Sequence, residues 1–187
     1  MTYQNKNISF TVIFFLFVFL FSTFPKTSLA ASAAEINIGV AETLNRFKQE
    51  ISGGEEFLKQ AKGVLVFPSI IKAGFVIGGE YGEGALKVND AIVNYYSTAA
   101  ASFGFQLGAQ SKSVVLVFMT NDALKGFQAS KGWKAGVDGS VALIEWGVGE
   151  DINTVDIKDP IIGFVFSNKG LMYNLTLEGS KFTKLEK

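Results

Sequence analysis

The chain has 187 residues, 17 basic and 17 acidic side chains, and neither His nor Cys. That size fits one domain, or one domain plus a leader. The absences exclude a His-based triad, a thiol nucleophile, and thiolate or imidazole metal sites, while near-neutral charge argues against a general nucleic-acid binder.

The first 30 residues differ from the rest. They hold seven of the 18 Phe, none of the 20 Gly, and only Lys6 and Lys26 as charges. Val12 to Phe21 is an unbroken apolar run of ten residues. Ser28-Leu29-Ala30 and Ala31-Ser32-Ala33 then supply small residues at signal-peptidase spacing. This is the three-part secretory pattern, and the run falls short of the roughly 20 residues that span a bilayer. Residues 1–30 are therefore expected to be a cleaved secretory signal peptide, cut after Ala30 or after Ala33, leaving a periplasmic or secreted protein. With no Cys, a lipid-modified cysteine is excluded. Removing two lysines leaves 15 basic and 17 acidic groups, a net charge of −2 for residues 31–187.

Residues 34–51 predict an amphipathic helix. Ile36, Val40, Leu44, Phe47 and Ile51 fall within an arc of about 80° at 100° per residue. That stripe either docks on the domain core or lies on a membrane surface. Ser52-Gly53-Gly54 ends the helix, and Glu55 to Lys62 suggests a second short one. From Gly63 the period changes to that of strands. Val64–Phe67 and Val114–Met119 are continuous apolar runs, as in strands buried on both faces. Ser102–Ala109 and Leu171–Glu178 alternate, and Ile161–Phe166 adds another strand. Thr120-Asn121-Asp122 offers an N-cap to a short helix over Ala123–Ser130. Glycine inside strands permits bulges, coiling or close backbone approach. The predicted fold is α+β and β-dominated: a curved antiparallel β sandwich or barrel over 63–187, preceded by N-terminal helices in 31–62.

Four patterns suggest chemistry and lose to simpler readings. Gly78 to Gly84 resembles a phosphate loop, but no helix start or G-K-[ST] follows, so a hairpin turn is expected. Ser69 and Lys72 match S-x-x-K, without the K-T-G partner element. Glu150, Asp151, Asn153, Asp156 and Asp159 lack the calcium-loop Gly and Glu and read as a solvated connection. Glu80 and Glu83 are a conceivable acid/base pair, more simply two hydrated carboxylates. Lys59, Lys62, Lys72 and Lys112 form an anion-binding surface only if they converge in space.

Longer blocks carry a specific resemblance. Residues 61–84, from Ala61-Lys-Gly-Val-Leu-Val-Phe-Pro-Ser through Gly78-Gly-Glu-Tyr-Gly-Glu-Gly84, resemble the opening signature of the SYLF domain family. Ser102–Ser111, Val115–Thr120, Trp133–Val141, Lys169-Gly170 and Leu177–Ser180 continue it in order, so the likeness covers about residues 50–185. Ala142 to Pro160 departs from the usual small-residue run. The resemblance implies non-enzymatic binding of acidic phospholipids, phosphoinositides such as phosphatidylinositol phosphates in eukaryotic members, and actin filaments in some fungal relatives. In eukaryotic members an amphipathic N-terminal helix contributes to membrane contact, and residues 36–51 hold a similar place here.

The expectation is an exported lipid-binding module, without catalysis or cofactor, that meets an anionic phospholipid membrane. The alternative is a structural or scaffold domain of the cell envelope that binds protein. The expected lipid-binding residues are Ile36, Val40, Leu44, Phe47 and Ile51 for depth, with Lys59, Lys62 and Lys72 for charge. No nucleic-acid partner and no metal are expected.

Overall fold

The computed structural model describes residues 30–74, 77–103, 108–145, 158–167, 177 and 179–187. Residues 31–187 form one compact unit. Helix α1 (Ala33–Glu50) starts one residue ahead of the predicted helix, because Ser32 caps it. The Ser32 hydroxyl accepts from the Glu35 N–H, and the Glu35 carboxylate accepts from the Ser32 N–H at 2.7 Å. This reciprocal pair satisfies two otherwise orphaned donors. Gly53, at φ 75°, turns the chain into α2 (Gly54–Gln60).

Among the described residues eight strands follow: β1 (Gly63–Gly74), β2 (Ile77–Val88), β3 (Ala91–Phe103), β4 (Gly108–Phe118), then, after helix α3 (Asn121–Ala129), β5 (Trp133–Lys134), β6 (Ala142–Glu145), β7 (Ile161–Ser167) and β8 (Lys181–Leu185). They form one curled, half-barrel sheet in the order β5-β8-β3-β2-β1-β4-β7-β6, antiparallel except between β6 and β7. Of the two expected architectures, sandwich or barrel, the single sheet takes the barrel-like course. Thr120 caps α3 as predicted, its hydroxyl 3.2 Å from the Ala123 N–H.

Two expectations are corrected. Ser102–Ala109 is not one strand. It spans the end of β3 and the start of β4, which are not sheet neighbours, and residues 104–107 lie outside the described residues. The alternation in 171–176 also lies outside them. Gly78–Gly84 is not a turn but the body of β2; the β1–β2 hairpin closes where Gly74 pairs with Gly78. The next hairpin turns on Asn89-Asp90, both at positive φ, the two-residue loop whose twist matches antiparallel strands.

Pro68 explains the glycines of β2. Proline cannot donate to a ladder and is tolerated inside a sheet at a bulge. β1 lies between β2 and β4, and the register of both pairings shifts around Pro68. The Pro68 carbonyl is satisfied instead by the buried Ser113 hydroxyl at 2.7 Å. The bulged backbone presses on β2, where a Cβ at Gly84 would lie 2.1 Å from the Val66 oxygen and one at Gly82 would lie 2.7 Å from the Ser69 oxygen. On the helix side, a Cβ at Gly39 would meet the Pro68 ring at 2.8 Å.

Each sheet face has its own core. On the concave face Leu65, Phe67, Ile70, Leu86, Val114, Leu116 and Phe118 pack with α3. Phe127 of α3 sits among Tyr96, Phe118, Trp133 and Phe182 at centroid distances of 4.9 to 6.2 Å. On the convex face α1 and α2 cover Val66, Ala85, Val115, Val117, Ile162 and Phe164.

Gly84→Ala is expected to lower stability by about 3 kcal/mol or more, because overpacking against backbone cannot relax. Gly126→Ala, in α3 with nothing within 4 Å of the new methyl, is expected to raise it by about 0.8–1.0 kcal/mol. Chemical denaturation of both variants checks the pair.

Candidate functional site

The predicted site residues do not form one site. Ile36, Val40, Leu44, Phe47 and Ile51 are all buried against the convex face. Phe47 makes an edge-to-face contact with Phe164 at 4.9 Å. The stripe packs on the sheet, the first of the two readings open to it, and these side chains reach a bilayer only if α1 leaves the sheet. The three lysines do not converge either. Lys59 lies exposed on α2, paired with Glu56 at 2.7 Å and Glu55 at 3.5 Å. Lys62 is exposed just before β1. Lys72 sits ten residues farther along that strand, roughly 30 Å away at about 3.3 Å per residue.

Lys72 instead joins Lys112. Lys112 Nζ lies 2.7 Å from one Glu80 carboxylate oxygen, and Lys72 Nζ lies 3.7 Å from the other. The side chains are 3%, 12% and 17% exposed for Lys112, Glu80 and Lys72. Glu80 and Lys112 come from strands on either side of β1, about 10 Å apart at the usual strand spacing. Their residue parity puts them on the concave face, where curl brings such side chains together. Beyond the Pro68 bulge, Ile70 and Lys72 point the same way. A buried ammonium requires a partner, and here two share one carboxylate. Among the described residues the cluster carries one surplus positive charge.

The opposite face of the same hairpin carries two exposed large side chains. Ile71 and Tyr81 are cross-strand partners, 54% and 48% exposed. A groove of about 490 Å³ lies at the other end, between α1, α2 and the β2–β3 turn. It is of mixed charge: Lys59 has its glutamates, and Lys87 has Asp90 at 3.6 Å.

Glu83 organises a second polar cluster on the convex face. Its Oε1 accepts from the Tyr81 hydroxyl at 2.6 Å. Its Oε2 accepts from Lys187 Nζ at 2.8 Å and from the Ala31 N–H at 3.1 Å. Burial pushes the Glu83 carboxyl up, but Lys187, Tyr81 and the Ala31 N–H outweigh it and hold the group below its usual range. Burial first, and then the Glu83 acceptor, push the Tyr81 hydroxyl up to about 12.

Strand geometry also disposes of two catalytic patterns. Residues three apart on a strand point to opposite faces. Glu80 and Glu83 therefore cannot act together, and Ser69, hydrogen-bonded to Ser111 at 2.9 Å, faces away from Lys72. Of the acidic connection, Asp159 alone is among the described residues. Lys112 was visible in the sequence as one lysine of four. What marks it out is burial, its place in β4 two residues before the apolar run.

Because Glu83 is depressed in the folded state, its contribution to stability is present above the ordinary carboxyl value of 4.5 and is lost as pH falls through the folded value. Glu83→Gln is expected to flatten the acid limb of the stability profile below about pH 4.5 and to move one tyrosine titration from about 12 toward the ordinary 10.0. Thermal melts against pH and ultraviolet titration read the two effects.

The family model described as Ysc84, Las17-binding protein actin regulator, matches residues 99–187. That span runs from β3 through β8, and β1 and β2 lie between its strands in the sheet. No curated protein matches the chain. The family is one of binding domains. The match agrees with the sequence blocks from Ser102 to Ser180, while the opening block, residues 61–84, lies outside it; residues 99–187 match the SYLF, or Ysc84, domain family.

Proposed function

We propose that the protein is an exported, non-catalytic module that binds anionic phospholipid headgroups at the β1–β2 hairpin end of its sheet. The carrying observation is the pair of ammonium groups, Lys72 and Lys112, on the single carboxylate of Glu80. A phosphate oxygen entering beside Lys72 would balance the surplus charge, and its other oxygens would accept from the same two donors. Ile71 and Tyr81 support the reading, since they present exposed apolar surface at the same end. The leader-like composition of residues 1–30, and a compact unit that begins at Ala31, support export. The α1 stripe has no part in this version of membrane contact.

Co-sedimentation with phosphatidylglycerol–phosphatidylcholine vesicles tests the reading, with pure phosphatidylcholine as control. Binding is expected only to the anionic vesicles and is expected to weaken with salt. Each lysine near an anionic surface contributes about 1 kcal/mol, so Lys72→Gln should weaken binding about fivefold. Glu80→Gln keeps an acceptor but removes the balancing charge, and should bind at least as tightly as the parent. Folded protein that ignores anionic vesicles, or binds both kinds alike, overturns the proposal. The matched family's description names a protein partner, so that outcome would favour the scaffold reading.

A further inference from the structure

We propose that Glu83 is the receptor for the new N-terminus of the processed chain: hydrolysis of the Ala30–Ala31 bond leaves an α-ammonium on Ala31, which the Glu83 carboxylate holds as an ion pair. The inference rests on the export half of the proposed function and is independent of the lipid half.

The contact already exists in the uncut chain. The Ala31 amide nitrogen lies 3.1 Å from Glu83 Oε2, and the Glu83 side chain is 7% exposed. Lys187 clamps the same point, with Nζ at 2.8 Å from that oxygen and 2.5 Å from the Ala31 carbonyl. Tyr81 fixes the other carboxylate oxygen. Ser32 and Glu35 lock the next residues through the α1 cap. A neutral amide supplies this nearly enclosed carboxylate with one hydrogen bond. An ammonium at the same place supplies a charge as well.

Side-chain charge points the same way. Among the described residues, the titratable groups around Ala31 are Glu83 and Tyr81 from β2, Lys187 beyond β8, and Glu35 from α1, which bonds the adjacent Ser32 and feels Lys187. Two carboxylates share one lysine, and an ammonium on Ala31 would make two against two. A peptidase with water as co-reactant performs the step. The Ala30 C–N bond breaks, the water oxygen joins the Ala30 carbonyl carbon, and the released amine takes a proton, giving an Ala30 carboxylate and an Ala31 ammonium.

The same geometry separates the two sites that the sequence left open. Cutting after Ala33 would discard Ala31, with its Glu83 contact, and Ser32, with the helix cap. Cutting after Ala30 keeps both.

The full chain, leader included, is expressed in a secreting host, and the exported protein is weighed. The expected N-terminus is Ala31. A start at Ala34 overturns this inference alone, and an intact leader overturns the export reading with it. In the same exported protein the α-amine is titrated by its rate of acylation. It should stay protonated above its ordinary ~8. Acylation at neutral pH should be about tenfold slower than in Glu83→Gln, as expected for a tenfold smaller neutral fraction. An α-amine that titrates at its ordinary value in the parent, or identically in parent and Glu83→Gln, overturns the assignment of Glu83.

Discussion

The structure turns on one backbone constraint, a proline in a strand with neighbours on both sides. Pro68 lacks the N–H that the ladder requires, so β1 bulges there. The bulge inserts a change of parity into β1. Before it, Leu65 and Phe67 face the concave core; after it, Ile70 does. Without the bulge, Lys72 would point to the convex face and never meet Lys112. The cost of the bulge is distributed over its neighbours: Gly82 and Gly84 yield on β2, Gly39 yields on α1, and Ser113 takes the freed carbonyl.

The bulge also accounts for the unequal covering of the sheet. With Gly39 against Pro68, α1 approaches closely and seals the middle of the convex face. Its N-terminus ends beside Glu83, short of Ile71 and Tyr81, which stay exposed. On the concave side α3 fills the end near Gly63, where a Cβ would touch Leu124 at 2.8 Å. Among the described residues, the end that holds Lys72, Glu80 and Lys112 takes charged side chains. Among the described residues, one end of the sheet is thus a packed core, and the other sets two lysines on one carboxylate inside and exposes Ile71 and Tyr81 outside.

Glu80 and Glu83 divide the polar work of β2 between the faces. Glu80 gathers two lysines from the strands beside it in the sheet, and Glu83 gathers the two ends of the compact unit, Ala31 and Lys187. Each is mostly buried; two ammonium groups satisfy Glu80, while Lys187, the Tyr81 hydroxyl and the Ala31 N–H satisfy Glu83, so under the proposals above exchange for neutral residues is expected to act on binding in one case and on chain-end attachment in the other. Their separation by three residues, opposite faces on a strand, makes them chemically independent.

Much of this was legible in the residues themselves. The 3.6-residue stripe from Ile36 to Ile51, the Thr120 cap and the change of period at Gly63 determined elements, because local pattern and capping act over a few residues. The SYLF resemblance was carried by contiguous blocks. What covers the stripe was not legible, since an apolar face looks the same whether a sheet or a membrane receives it. Nor was the grouping of lysines: Lys59, Lys62 and Lys72 are close in sequence, yet a strand carries the last of them far from the others, and Lys112 comes beside it from β4. The glycines of β2 read as a turn because the signal of a turn and of a crowded strand is the same residue. Only pairing with a bulged neighbour decides between them, and strand pairing, sheet curl and facing parity are properties of the assembled chain, fixed by contacts between residues dozens of positions apart.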